Sequence, residues 1–165
     1  LPLVQDLWQG DVAHEGRVWQ FPSATSCPKP LQQTVPMWVA TRSPITFDYA
    51  VANDCNIMSW PLTLPFSEAV KYRTQLDEAI AKNGGTYAGR FAMMRHTSVY
   101  ETASDRQSAL DATRGVLSQF GNLIMKSGEV RNGFPDPVPL ESLDGNFRVE
   151  PKMLEDNLMF GSPVK

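Results

Sequence analysis

The stretch VPMWVATRSPITFDYAVANDCNIMSWPL, residues 35–62, decides how this chain folds. It spells an apolar strand over 37–41, a turn, a helix over 44–52 opened by Ser43-Pro44, and a second apolar strand over 56–60. Proline suits the first helical position, where a backbone N–H would lack an intrahelical partner anyway. A serine just before it can cap the helix with its hydroxyl. A strand that feeds such a helix presents the N–H groups of the first turn at the edge of a sheet. That is the geometry of a phosphate site, and it marks a cofactor-binding corner of an α/β protein.

Working outward, the segment before this corner reads as the end of a helix over 1–8. A turn at Glu15-Gly16-Arg17 and the strand-like alternation Val18-Trp19-Gln20-Phe21 follow. Cys27-Pro28-Lys29-Pro30-Leu31-Gln32 can be neither helix nor central strand, because prolines remove the donors that both require. Residues 1–35 are therefore lead-in and connector, and residues 36–125 carry three strand–helix units. The second unit pairs the 56–60 strand with a helix over 67–82, whose apolar positions are Ala69, Val70, Leu76 and Ile80 and whose stop is Gly84-Gly85. The third joins a strand over 89–100 to a helix over 105–120. Ser104 and Gln107 make a capping-box pattern there, Leu110, Thr113, Val116, Leu117 and Phe120 form the apolar face, and Gly121 supplies a stop. Glycines and prolines break up residues 126–153 into an irregular excursion. A last helical turn over 154–158 leads to Gly161-Ser162-Pro163. Repeated strand–helix–strand units imply parallel strands with right-handed crossovers. Both an open doubly wound sheet and an eight-fold closed barrel satisfy that pattern.

The 165 residues are 42% hydrophobic and carry a formal charge of -3. This is ordinary core-forming material without the basic face that nucleic acid or an anionic membrane would need. No apolar run approaches the roughly 18 residues of a membrane span. No basic-then-apolar leader is visible at the start, and two distant cysteines, Cys27 and Cys55, read as free thiols. A cytoplasmic location is expected. The opening Leu1 and the abrupt close suggest a segment of a longer product.

Several motifs, in order, resemble the bacterial luciferase-like flavin monooxygenases. They are Glu15-Gly16-Arg17-Val18-Trp19, Pro28-Lys29-Pro30-Leu31-Gln32, Pro36-Met37-Trp38-Val39-Ala40, Ser43-Pro44 with its alanine-bearing helix, a strand ending near Ser59-Trp60, and Gly161-Ser162-Pro163. The resemblance implies an α/β fold of the TIM-barrel type, present here as a single incomplete barrel domain holding only the later strand–helix units. A whole barrel takes about 250 residues. It also implies an oxidoreductase that uses reduced FMN, or alternatively a deazaflavin, with molecular oxygen to oxygenate a small organic substrate. A separate flavin reductase would supply the reduced flavin, and the full-length form would be a homo-oligomer. A non-catalytic flavin-binding or subunit-contact piece is the alternative, and an unrelated open-sheet enzyme is the third.

By resemblance, the loop Ala40-Thr41-Arg42-Ser43 and Thr46 reach the flavin phosphate, while Ser59 and Trp60 lie beside the flavin ring. Each has a plainer alternative: Ser43 as a helix cap, Arg42 as a solvated charge where the family often carries a small or acidic residue, Trp60 as a core tryptophan. His96 could be a proton donor at the barrel mouth or could point into the helix layer. His14 is read as lying in a turn without a partner. Two histidines allow neither a Ser-His-Asp arrangement nor a metal cluster. The catalytic acid or base would lie in the absent half of the barrel.

Overall fold

A computed structural model of the chain describes residues 1–124 and 129–162, and its elements fall into two units, Leu1–Met37 and Trp38–Lys165. In the first unit, helix α1 (Pro2–Gln9) precedes the antiparallel hairpin of β1 (Val12–Glu15) and β2 (Gln20–Ala24). The strand-like alternation at 18–21 is thus half turn, with Val18 and Trp19 exposed at its tip. His14 lies in β1, not in a turn, with its ring 5.9 Å from that of Phe21. Lys29 of the proline-rich connector closes the unit. Its ammonium donates to Leu7 O at 2.6 Å and Gly10 O at 3.1 Å, placing a cation on the carbonyl end of α1.

The second unit is built on parallel strands. β3 (Trp38–Ala40) leads to α2 (Pro44–Ala52), β4 (Asn56–Leu62) to α3 (Phe66–Lys82), and β5 (Phe91–Arg95) is followed by β6 (Thr97–Val99) and α4 (Ala103–Ile124). The order β3-β4-β5 is parallel throughout. The single strand expected over 89–100 is broken at His96, because β5 takes β4 as its neighbour whereas β6 takes a different one. That neighbour is β9 (Met159–Gly161), a fourth strand position where the sequence suggested only a terminal motif. Between α4 and β9 lie the short hairpin β7 (Val130–Arg131) and β8 (Phe134–Pro135), two 3₁₀ turns at Leu140–Leu143 and Phe147–Val149, and α5 (Pro151–Asn157). The rest of the expected excursion is irregular. Gly128 and Pro163 lie outside the described residues.

The β4 strand shows how the sheet is covered. Ile57, Ser59 and Pro61 are buried, and they alternate with the half-buried Asn56, Met58, Trp60 and Leu62. Phe91 is the register partner of Ile57 and meets Phe47 of α2 edge-on at 6.2 Å, so the Ile57 side faces the helices. Phe47, Ala50 and Val51 cover it from α2, and Ala69, Tyr72, Leu76 and Ala79 form the buried stripe of α3. Each large side chain buried there stabilises the fold by ~1.5–3 kcal/mol. Trp38, Ala40 and Met94 occupy the opposite face, where Trp38 keeps 45% and Met94 50% of its surface exposed. Val70, expected on the apolar stripe, is exposed because the stripe runs through Tyr72 instead.

Helix ends follow local chemistry. The N–H of Gly85 bonds to Ile80 O at 2.8 Å, with Gly84 at φ +96° and Gly85 at φ +79°, left-handed values that glycine adopts without strain. The capping box of α4 is Thr102 with Asp105 and not Ser104 with Gln107, since Thr102 Oγ1 accepts the Asp105 N–H at 3.1 Å. The helix also runs through Gly121 to Ile124. A second core joins α4, α5 and β9 through Ala109, Leu110, Leu154, Leu158 and Phe160, with Tyr100 packed against it. No helix among the described residues is long and apolar enough to cross a membrane.

Candidate functional site

The carboxyl ends of β3 and β4 meet at the turn 41–46. Two buried hydroxyls fix it. Ser59 Oγ, wholly buried on the helix-facing side of β4, donates to Thr41 O at 2.7 Å. Thr41 Oγ1, also buried, accepts the N–H of Ser43 at 3.0 Å. A buried carbonyl or hydroxyl without a partner would cost about 1–3 kcal/mol, so these bonds lock the strand-to-helix turn in one shape. Thr41 and Ser59 are therefore committed to shaping the turn from within.

Ser43 occupies the N-cap position of α2, with φ -98° and ψ 132°, and Pro44 takes the first helical position. Its hydroxyl makes no capping bond, contrary to the expectation from sequence. The Thr41 side chain performs the local tying role instead. Thr46 N–H bonds back to Ser43 O at 3.0 Å, and Pro44 has no N–H. What the first turn of α2 offers outward is thus the Ile45 N–H, the Ser43 hydroxyl and the half-buried Thr46 side chain. Beside them Arg42 is exposed, its guanidinium carbon 5.3 Å from the centre of the Trp60 ring. This donor set, all hydrogen-bond donors at the positive end of a helix, fits an anionic phosphate.

Trp60 is half-buried on the inner face of β4, directly after the pinned Ser59. Past it the ladder with β5 shifts register, and Leu62 adopts φ +42°, an uncommon backbone for leucine. The bulge turns the chain away just after the tryptophan. Tyr72 of α3 lies within electrostatic reach of this corner. Burial raises its phenol above the usual range, Glu68 adds to the rise, and the Arg42 charge opposes it.

His96 is drawn into the helix layer. Its Nε2 lies 2.9 Å from Thr113 Oγ1 of α4, and its ring stacks on Phe160 of β9 at 5.7 Å. Burial pushes its pKa down. Further from the turn, Glu155 of α5 accepts from Tyr100 Oη at 2.7 Å and from Arg106 Nε at 2.5 Å. No local motif could announce that triad, because its members come from distant segments. Arg95 at the end of β5 donates to Leu64 O at 2.9 Å and Asn157 O at 2.7 Å, joining the loop after β4 to the end of α5. The described residues contain no cluster of His, Cys, Asp and Glu that could hold a metal. Cys27 and Cys55 are both free. Cavities among the described residues include a groove of about 770 Å³ on the β1–β2 hairpin beside His14 and Phe21, one of about 340 Å³ along β6 and β9, and one of about 220 Å³ beside Trp8 and Val35.

The chain is 32% identical over 162 residues to the oxygenase component of a flavin-dependent trigonelline monooxygenase of Acinetobacter baylyi (strain ATCC 33305 / BD413 / ADP1), covering 98% of this chain but 45% of that protein. Among solved structures, the monooxygenase RslO1 from Streptomyces bottropensis superposes with a TM-score of 0.55 at 18% identity. An F420-dependent secondary alcohol dehydrogenase in complex with an F420-acetone adduct gives 0.58, also at 18% identity. Each of those likenesses covers 98% of this chain and 50% of the other, and at such identity it speaks for the fold alone. The chain spans about half the length of the relatives it matches. The model of the luciferase-like monooxygenases matches residues 1–160, and the chain belongs to that family.

Proposed function

We propose that these residues are the later half of a (β/α)8 barrel in a flavin-dependent monooxygenase, and that they supply the phosphate turn and one wall of its flavin site. The four parallel strand positions β3, β4, β5–β6 and β9 are half of the eight that a closed barrel requires. The half-length match to the relatives agrees with this count.

One observation carries the reading: the turn at the carboxyl end of β3, tied from beneath by Ser59 and Thr41, leaves the Ser43 hydroxyl, the Ile45 N–H and the exposed Arg42 guanidinium as donors at the start of α2. Active sites of this fold sit at the carboxyl ends of the strands. Ser43, Thr46, the Ile45 N–H and Arg42 would hold the phosphate, and Trp60 would form an apolar wall for the ring. FMN is the cofactor this donor set suits, with a deazaflavin as the alternative. When bound in its reduced form, the flavin would supply the activation of dioxygen for oxygenation of a small organic substrate. A separate reductase would deliver it, as the oxygenase-component name of the 32% identical relative suggests by analogy.

The chain's own contribution is positional. Buried bonds hold the turn rigid, so the donors need no reorganisation on binding. The exposed inner face favours a second reading for the isolated chain, in which it binds flavin without turnover. Titration with FMN, followed by flavin fluorescence, tests the first claim: micromolar or tighter binding is expected, and no detectable binding at millimolar FMN removes the proposal. Supplying photoreduced FMN, oxygen and candidate substrates to a full-length protein that contains this segment then separates the two readings, because the second predicts hydrogen peroxide and no oxygenated product.

A further inference from the structure

We propose that Arg95 is a positioning residue for Trp60: it closes the far end of the β4 bulge that aims the tryptophan, and it keeps Leu62 in the left-handed backbone that the bulge requires. The inference rests on Trp60 as the wall for the flavin ring, proposed above, and adds the device that sets that wall.

Three observations carry it. First, Trp60 sits inside the bulge. Ser59 pairs with Met93 and Leu62 with Arg95, so three steps along β4 match two along β5, and Trp60 and Pro61 together stand opposite Met94. One extra residue bends a strand and re-aims the side chains it carries. Second, the bulge ends on a strained residue. Leu62 has φ +42°, a left-handed value that leucine holds only where its surroundings impose it. Third, the imposing bonds converge from Arg95 and its neighbour. The N–H of His96 donates to Leu62 O at 3.3 Å, and the half-buried Arg95 guanidinium donates to Leu64 O at 2.9 Å and to Asn157 O at 2.7 Å. Asn157 Oδ1 in turn accepts the Phe66 N–H at 3.1 Å.

The loop that follows Trp60 is thereby tied to β5 and to the end of α5. On the near side, Ser59 is pinned through its bond to Thr41 O. The tryptophan lies between two anchors, and Arg95 supplies the far one. A planar guanidinium suits the task because it reaches two carbonyls at once in fixed directions, which a lysine ammonium on its flexible stem does not reproduce.

The test uses a full-length protein that contains this segment, with lumiflavin, a flavin ring without phosphate, as the probe of the Trp60 wall. Affinity is read by quenching of flavin fluorescence and corrected for the folded fraction. Arg95→Met keeps an apolar stem but removes the donors, so Leu62 relaxes and lumiflavin affinity should fall by about 5–30-fold. Adding Leu62→Gly should restore most of that affinity, because glycine takes φ +42° without strain. The urea midpoint should stay low, since glycine brings no new contact. That rescue separates positioning from general stabilisation. Arg95→Lys, with and without Leu62→Gly, carries the same comparison with a smaller loss and serves if Arg95→Met does not fold. Three results overturn the inference: an unchanged lumiflavin affinity in the folded Arg95 variants, a loss that Leu62→Gly does not restore, or a wild type that binds FMN but not lumiflavin. Each leaves flavin binding itself standing as long as FMN is bound. Failure of the wild type to bind either flavin removes the flavin reading and this inference with it.

Discussion

The β3–α2–β4 corner and the β6–α4–β9 region are both strand–helix–strand packings, yet they spend their polar groups in opposite ways. In the corner, Ser59 and Thr41 satisfy the backbone from beneath and leave the Arg42 charge and the Ser43 and Thr46 hydroxyls facing out. In the other region polar side chains consume one another: His96 pairs with Thr113, and Glu155 takes both Tyr100 and Arg106. A binding site needs groups that the fold has positioned but not used up. That difference, more than the presence of titratable residues, is why the first region is proposed as the site and the second as scaffold.

The largest expected effects test whether the division is real. Phe47 has no exposed surface and meets Phe91 edge-on, while Leu154 is equally buried in the α4–α5–β9 core. Truncating Phe47 to Ala should cost ~3–5 kcal/mol, and Leu154 to Ala ~2–5 kcal/mol, measured by urea denaturation. The two should differ in function: flavin binding under native conditions falls with Phe47→Ala and survives Leu154→Ala. If both lose binding in step with stability, the corner is no more the site than the scaffold is.

A smaller effect isolates the corner's rigidity. Ser59→Ala leaves Thr41 O buried without its donor, at a cost of ~1–3 kcal/mol. Because the 41–46 turn then loosens, FMN affinity should fall by more than the loss of folded protein, read from the urea midpoint, accounts for. An unchanged FMN affinity would show that the turn holds its shape without Ser59. Smaller again is Gly89→Ala at the opposite end of the strands. The added methyl group would press on the Tyr87 ring, whose hydroxyl donates to Cys55 O at 2.6 Å. With the ring displaced from that contact, the loss should be that of one hydrogen bond, about 0.5–1.5 kcal/mol, with flavin affinity intact.

How much of this was legible in the sequence follows from the range of each interaction. The α2 helix could be bounded at Pro44 and Ala52 because proline and the apolar spacing of Phe47, Ala50 and Val51 act within a few residues. Parallel pairing of β3, β4 and β5 followed from strand–helix alternation. The break at His96 was hidden, since nothing in Phe91–Val99 tells that its two halves bond to different strands. The β9 strand was missed because three residues that end on the glycine of a Gly-Ser pair carry too little alternation to read. At the site, residue types were legible and roles were not. Ser43 looks like a cap and Thr41 like a strand residue, but a distant serine on β4 fixes the turn so that Thr41 does the tying.

The smallest effect is confined to acid pH and comes from the scaffold region. Thr113 Oγ1 lies 2.9 Å from both Ala109 O and His96 Nε2, partners that suit a neutral imidazole. Burial disfavours the charged ring and lowers its folded pKa below the ordinary 6.5. The unfolded chain therefore binds a proton first as pH falls. The stability contributed by a neutral His96 is fully present above about 6.5 and is lost as pH drops from there through the lower folded value. Urea midpoints taken from pH 7.5 downward should decline over that window, and His96→Gln should flatten the decline. Flavin affinity corrected for the folded fraction should not follow this titration if His96 belongs to the scaffold. An affinity that tracks it would place His96 at the barrel mouth after all and erase the contrast between the two regions.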